Sequence, residues 1–186
     1  VLLAPHLGGT GQDNRAWATT HCGERVLWAE QGPFGLALMA RTGDGDGLGE
    51  ASAGYVGVSD GWQDFQANGR MAWDYAEAGP GNVALMARCA PRATLALGLS
   101  TSKEAAATLA RAALTTPFDV ALAEQTAAWS GWHAGCGSRA APADLAPELA
   151  AQFAWSAQVL KTHSDKTFVG AMAASLSIPW GNTGDK

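Results

Sequence analysis

Apolar and polar positions follow two different rhythms along this chain, and the change falls near residue 100. Before it, apolar runs of about four to eight residues are cut by glycine, as strands joined by turns would be. Such runs cover Arg25–Glu30, Gly35–Arg41, Ala53–Val58, Asn82–Cys89 and Thr94–Leu99. In Tyr55-Val56-Gly57-Val58 and in Thr94-Leu95-Ala96-Leu97-Gly98-Leu99 the alternation is partial, which predicts one covered face and one less apolar face. Gly43 to Gly49 reads Gly-Asp-Gly-Asp-Gly-Leu-Gly, a hairpin tip or a loose loop. Together these runs predict an antiparallel sandwich.

From Thr101 the period lengthens. Thr101-Ser102-Lys103-Glu104 fits a capping box, in which the Thr oxygen and the Glu carboxylate satisfy each other's free backbone donors. Leu109, Ala110, Ala113 and Leu114 then share one helical face. Thr116-Pro117 predicts a second start, with Thr as cap and Pro at the first helical position. Phe118, Leu122, Gln125, Trp129 and Trp132 follow at helical steps as an aromatic-ended stripe. Small residues from Gly135 to Pro142 read as a linker, and a third helix is expected from about Asp144 to His163. Its face is Leu149, Phe153, Ala157 and Leu160, with Trp155 and Val159 off that face, so burial on several sides is expected. Phe168 to Trp180 is apolar, irregular and ends near a proline. The order of strands, connecting helices and the first helix of something else places a domain boundary near residue 140.

Composition sharpens this picture. Of 23 glycines, 17 lie in residues 1–100 and 6 in residues 101–186, where alanine takes over. The 186 residues can bury a sizeable core. A net charge of −5 argues against a surface for nucleic-acid phosphates. No run of eighteen apolar residues is present, so no helical membrane span is expected. The chain opens at Val1 inside an apolar run and closes on Gly184-Asp185-Lys186, which reads as a piece of something larger.

Most chemical constellations fail. Cys22, Cys89 and Cys136 form no Cys-x-x-Cys pair and are odd in number for a disulfide framework. His133 and Cys136 at i, i+3 lack a further pair of zinc ligands, and His6, His21 and His163 have no visible partners. No metal site and no cofactor are therefore expected. Asp44-x-Asp46 starts like a calcium loop, but Leu48 at the fifth position and Tyr55 at the twelfth break it; a mobile acidic turn is the expectation, with weak calcium binding left open. Gly57-Val58-Ser59-Asp60-Gly61 matches the Gly-x-Ser-x-Gly pattern of a nucleophile elbow. The residues after it carry no long amphipathic helix, and the chain around it does not alternate strand with helix, so a hydrolase elbow is not expected. The eight tryptophans are a softer clue, since sugar rings stack on flat aromatic faces. Packing is the expected role of Trp17, Trp28, Trp62 and Trp73 in the sandwich and of Trp129, Trp132 and Trp155 between helices. Trp180, between Pro179 and Gly181 in an irregular segment, stays open to either packing or a ligand.

Five blocks carry a resemblance. They are Leu2-Leu3-Ala4-Pro5-His6-Leu7-Gly8, Gly54-Tyr55-Val56-Gly57-Val58-Ser59-Asp60-Gly61-Trp62-Gln63-Asp64, Gly81-Asn82-Val83-Ala84-Leu85, Ser156-Ala157-Gln158-Val159-Leu160-Lys161-Thr162-His163, and Ala174-Ser175-Leu176-Ser177-Ile178-Pro179-Trp180-Gly181. In that order, over nearly the whole chain, they resemble the bacterial glucoamylase and glucodextranase group, glycoside hydrolase family 15. Val169 stands where the family has proline.

The resemblance implies an antiparallel super-β-sandwich, related in shape to galactose mutarotase and incomplete here, followed by linker helices and the first helix of an (α/α)6 barrel. The implied domains are 1–100 (partial sandwich), 101–143 (helical linker) and 144–186 (start of the catalytic barrel). It further implies an inverting, exo-acting α-glucan hydrolase, with an α-glucan oligo- or polysaccharide as partner and export from the cell as the expectation for a polymeric substrate. In that family both catalytic glutamates and a substrate-contacting Trp-x-Arg-Asp motif lie beyond Lys186, so no catalytic residue is expected in this chain. Asp60, Asp64, Asp74 and Glu77 match no catalytic motif, and Trp180 is left as the one substrate-binding candidate. A second hypothesis is a stand-alone, non-catalytic carbohydrate-binding sandwich. Half a sandwich would leave strand edges open, so self-association through them is also expected.

Overall fold

A computed structural model of the chain describes residues 1–43, 45–137, 144–165 and 167–173. They fall into two compact units, one built on Val1–Phe118 and the other on Asp119–Gly181.

The first unit is an antiparallel sandwich. Its strands are β1 (Leu2–Leu3), β2 (Asn14–His21), β3 (Glu24–Gln31), β4 (Phe34–Thr42), β5 (Gly45–Asp46), β6 (Leu48–Tyr55), β7 (Glu77–Gly81), β8 (Val83–Cys89) and β9 (Thr94–Ser100). A three-stranded sheet in the order β1-β8-β6 faces a larger sheet in the order β5-β4-β3-β2-β7, with β9 added to β4. Leu27, Leu38 and Ala40 meet Leu48, Ala53, Val83 and Leu85 between the two sheets. That core follows from the alternation of the strands, since successive side chains point to opposite faces.

Four of the five expected strands stand within a residue or so of their predicted limits. The fifth, Ala53–Val58, ends early and starts early: β6 begins at Leu48 and stops at Tyr55. The Tyr55 carbonyl accepts the N–H groups of Val58, Ser59 and Asp60, which folds the chain out of the sheet. The acidic loop is a hairpin tip rather than a loose loop, because β5 pairs with the last residues of β4 as Arg41↔Asp46 and Thr42↔Gly45. Buried Asn14 at the start of β2 accepts from Leu7 N and donates to the Thr10 and Gln12 carbonyls, holding the preceding loop in place.

The outer face of the large sheet is covered by the helix Lys103–Ala113. Among the described residues two α-helices belong to this unit, α1 (Gly61–Asn68) and α2 (Lys103–Ala113). In α2, Ala106, Ala107, Ala110 and the following Leu114 pack on Val26, Trp28, Ala37, Met39 and Ala96. The approach is close enough that a β-carbon on Gly98 of β9 would overlap the Ala106 carbonyl oxygen. The cap falls one residue later than the Thr101 box predicts. β9 stays extended through Ser100, and the Ser102 hydroxyl accepts the N–H of Ala105 at 3.2 Å. At the other end Arg41 donates to the Leu114 carbonyl at 3.1 Å while paired with Glu24, which also meets Arg111 at 3.3 Å.

The second unit is helical. α3 (Phe118–Gly137) begins directly after Thr116-Pro117, and α4 (Pro147–Thr162) has its proline in the first turn. The expected helix 144–163 is thus shorter at its start. Its expected burial is not found: none of its residues is buried among the described residues. Trp155 is 67 % exposed and Leu160 60 %. An apolar helix needs neighbours on several sides to be covered, and the described part of this unit supplies few. No helix in the described residues is long and apolar enough to cross a membrane.

Candidate functional site

The densest polar architecture lies in the segment that leaves β6 and enters α1. Asp60 caps α1, its carboxylate accepting the N–H of Trp62 at 2.8 Å, of Gln63 at 3.1 Å and of Gly57. A carboxylate at this position satisfies the free donors of the first turn and meets the positive end of the helix dipole. The turn is tight enough that a β-carbon on Gly54 would overlap the Ser59 carbonyl.

Asp64, one turn later, is fully buried. It accepts from Asn68 Nδ2 at 2.8 Å, Ala72 N at 2.8 Å and Trp73 N at 2.9 Å. Burial pushes its carboxyl toward protonation, but the two backbone donors, the Asn68 amide and the nearby Arg70 charge outweigh it and hold the pKa below the ordinary aspartate value. Both carboxylates are therefore staples with their oxygens occupied by N–H donors. A general acid needs the opposite, a carboxyl raised and open to substrate.

Ser59 is likewise committed, its Oγ accepting the N–H of Tyr55 at 3.0 Å. A short helix does follow it, but the strand before it belongs to an antiparallel sheet and no histidine contacts the serine among the described residues. The elbow pattern is a helix cap.

What the pinned segment presents outward is aromatic. Trp62 and Phe65 lie one turn apart on the free face of α1, 50 % and 44 % exposed, with ring centroids 6.2 Å apart and planes 20° off parallel. Trp73 and Tyr75 form a second pair at 5.8 Å. The expectation that Trp62 packs inside the sandwich is thus corrected: its position on α1 turns it to solvent, while Asp64 takes the inward place. Trp28 is buried as expected, and Trp17 stacks beside it at 6.2 Å with the Lys103 ammonium 5.4 Å from its ring.

In the helical unit, Trp129 and Trp132 stand edge to face at 5.7 Å, both against His133. They line a groove of about 480 Å³ together with Lys161, Thr162, Ser164 and Asp165. The Asp165 carboxylate accepts from Phe168 N and Thr167 N, both at 2.7 Å, and these bonds lower its pKa. Trp155 does not pack between helices as expected but is exposed. Trp180, the substrate-binding candidate, lies outside the described residues, as do Asp44, the 138–143 part of the linker and the Cys136 side chain.

Among the described residues no three His, Cys, Asp or Glu side chains gather as a metal site. The Asp46 carboxylate accepts from Arg25 N of β3 and from Leu48 N at 3.0 Å, so both its oxygens have backbone donors. His21 stands edge-on to Trp28, and His163 Nδ1 lies 2.7 Å from the Val159 carbonyl.

The first unit is thus an antiparallel sandwich closed on one face by an alanine-rich helix and carrying a carboxylate-pinned aromatic corner. The family described as "Glucodextranase, domain N" matches residues 1–134, and the chain belongs to that family. Among solved structures, a bacterial glucoamylase complexed with acarbose has the same fold, with a TM-score of 0.78 and 24% sequence identity. The match covers 98% of this chain and 26% of that one, so the chain spans about a quarter of that structure's length. No curated protein matches.

Proposed function

We propose that this chain is part of an exo-acting, inverting α-glucan hydrolase that releases glucose from non-reducing ends, and that it is catalytically incomplete by itself. The observation that supports this reading is the family match over residues 1–134, joined to a shared fold with a glucoamylase that was crystallised with acarbose. The proposed domains are a partial sandwich over 1–100, a helical linker over 101–143 and the start of an (α/α)6 barrel over 144–186.

Inversion needs one carboxylic acid to protonate the leaving oxygen and one carboxylate to activate water, about 6.5–9.5 Å apart. Asp60 and Asp64 are tied to backbone N–H groups, and Glu24 to two arginines, so none of them is offered for either role. Trp180 is the proposed wall of a sugar subsite. The test is glucose assayed after incubation of this polypeptide with maltooligosaccharides and dextran; release at the buffer level is expected, and release well above it overturns the reading. For the product of the whole open reading frame, the anomer released is expected to be β, read by proton NMR.

A second reading is favoured by one observation, the exposed Trp62–Phe65 stack. A stand-alone carbohydrate-binding sandwich would give a saturable change in tryptophan fluorescence with maltoheptaose that Trp62→Ala removes; a flat titration excludes it. Self-association of this chain through open sandwich edges is also proposed.

A further inference from the structure

We propose that Asn68-Gly69 is a deamidation site that the Asp64 staple holds shut, and that its conversion unfastens the corner around α1. The proposal concerns bonds inside the sandwich unit and takes nothing from the glucan reading.

An asparagine loses its side-chain amide most readily when glycine follows. A residue without a β-carbon leaves its own backbone nitrogen unshielded and free to turn toward the preceding side chain. Of Asn14, Asn68, Asn82 and Asn182, Asn68 alone has glycine after it. Asn68 and Gly69 are both exposed, and no atom lies within 4 Å of where a β-carbon on Gly69 would stand. Solvent therefore reaches both reacting groups, and the step needs only water. The Gly69 nitrogen gives its proton to solvent and bonds to Asn68 Cγ, the Cγ–Nδ2 bond breaks, and the departing nitrogen takes up a proton and leaves as ammonia. Water then opens the cyclic imide at either carbonyl, leaving aspartate or isoaspartate at position 68.

In the folded chain the two groups are held apart. Asn68 is the last residue of α1, and a helical ψ turns the following nitrogen away from the side-chain carbonyl. Gly69, in the left-handed conformation at φ 65°, donates its N–H to the Phe65 carbonyl at 2.8 Å, so the attacking nitrogen must first break that cap. The amide is held as well. Asn68 Nδ2 donates to Asp64 Oδ1 at 2.8 Å, and Asp64 is fully buried, with its other oxygen fixed by the N–H groups of Ala72 and Trp73. Conversion thus waits for the last turn of α1 to open.

The product does not fit back. Aspartate at position 68 brings no N–H to Asp64 Oδ1 and sets a second carboxylate against a buried one, which like charge disfavours. Isoaspartate adds a methylene to the backbone and spoils the spacing of the turn. The damage reaches further because Asp64 fixes Trp73, and two residues on Tyr75 N–H donates to Oγ of buried Ser52 in β6 at 3.1 Å. One chemical event at an exposed residue is carried to the small sheet through Asp64.

The test is incubation of the 186-residue chain at mildly alkaline pH, folded in buffer and unfolded in guanidinium chloride. The peptide that carries position 68 is then mapped by mass and by isoaspartate content. Conversion is expected to be at least about tenfold slower in the folded chain. Asp64→Ala removes the acceptor and is expected to raise conversion at least about tenfold while circular dichroism still shows a folded chain. A second measurement does not depend on that variant's folding. Asn68→Asp stands for one product and is expected to unfold at lower urea than the parent at about pH 7, the gap narrowing toward about pH 4 as the carboxyls protonate. No conversion in the unfolded chain overturns the site. Equal conversion in folded and unfolded chains, or no rise in a folded Asp64→Ala, overturns the lock. An Asn68→Asp chain that unfolds where the parent does overturns the consequence for the corner. None of these results bears on the glycosidase reading, which the glucose assay decides.

Discussion

Two helices of this molecule show how little apolar content says about burial. α2 is mostly alanine with charges only at Lys103, Glu104 and Arg111, and its alanines at 106, 107 and 110 are buried to within 1 %. α4 carries Leu149, Phe153, Trp155, Val159 and Leu160, and each of these is about half exposed or more. The difference lies in what stands opposite. α2 meets a flat sheet face with a gap at Gly98, so small side chains allow backbone contact over a whole helix face. α4 presents bulk in every direction and has no comparable surface among the described residues. Complementarity, more than hydrophobicity, decides which helix is held.

The comparison breaks first at Gly98. Gly98→Val puts a branched side chain into the Ala106 carbonyl and is expected to cost about 3 kcal/mol in urea unfolding of the sandwich. A neutral result would mean that α2 is not held by close contact. Next comes the acid limb. Asp64 ionises below the ordinary aspartate pKa when folded, so its contribution is complete above about pH 4 and is lost as pH falls through the folded value. Asp64→Asn is therefore expected to lower the melting temperature at pH 7 and to flatten its fall toward pH 3. An unchanged slope would remove Asp64 as the staple.

Smaller effects sharpen the contrast. Asp60→Ala is expected to cost about 1 kcal/mol, the value of a helix cap, measured by the same unfolding curve. Cys22 sits at φ 52° beside Gly23 at φ 83° in the two-residue turn between β2 and β3. Both central residues of such a turn need positive φ, and Cys22→Asn is expected to gain about 0.5 kcal/mol. On α4, Trp155→Gln is expected to change stability by less than about 0.5 kcal/mol. A larger loss would show that α4 is covered after all.

The strands with apolar runs were legible because their alternation is written in Val, Leu and Ala, as in Arg25–Glu30 and Asn82–Cys89. β2 and β7 were not. Asn14–His21 mixes Asn, Thr and His into its inward and outward positions, and Glu77–Gly81 has almost no apolar signal. β7 exists because it pairs with β2, a long-range fact that no local window holds. The cap at Ser102 was missed by one residue because Thr101 and Ser102 are equally good caps, and only the end of β9 chooses between them. In the candidate site, the Gly54–Asp64 block was visible as a pattern, but its roles were hidden. A buried Asp64 and an exposed Trp62 invert the usual preference of both residue types, and the inversion follows from three-dimensional donors at Ala72 and Trp73. The Trp62–Phe65 pair had a readable signal, an aromatic repeat at i, i+3 beside glutamines, which the shortness of α1 obscured.

The helix that closes the outer sheet face has a practical consequence. Val26, Trp28, Ala37 and Met39 owe their dryness to a segment that follows the last strand, clamped at its far end by Arg41 on the Leu114 carbonyl. A polypeptide cut at Ser100 would keep every strand and still wet half of its hydrophobic interior. One cut after Phe118 would retain the cover and the clamp together. The shortest piece of this molecule worth expressing alone is thus set by a helix, even though the unit it completes is built of strands.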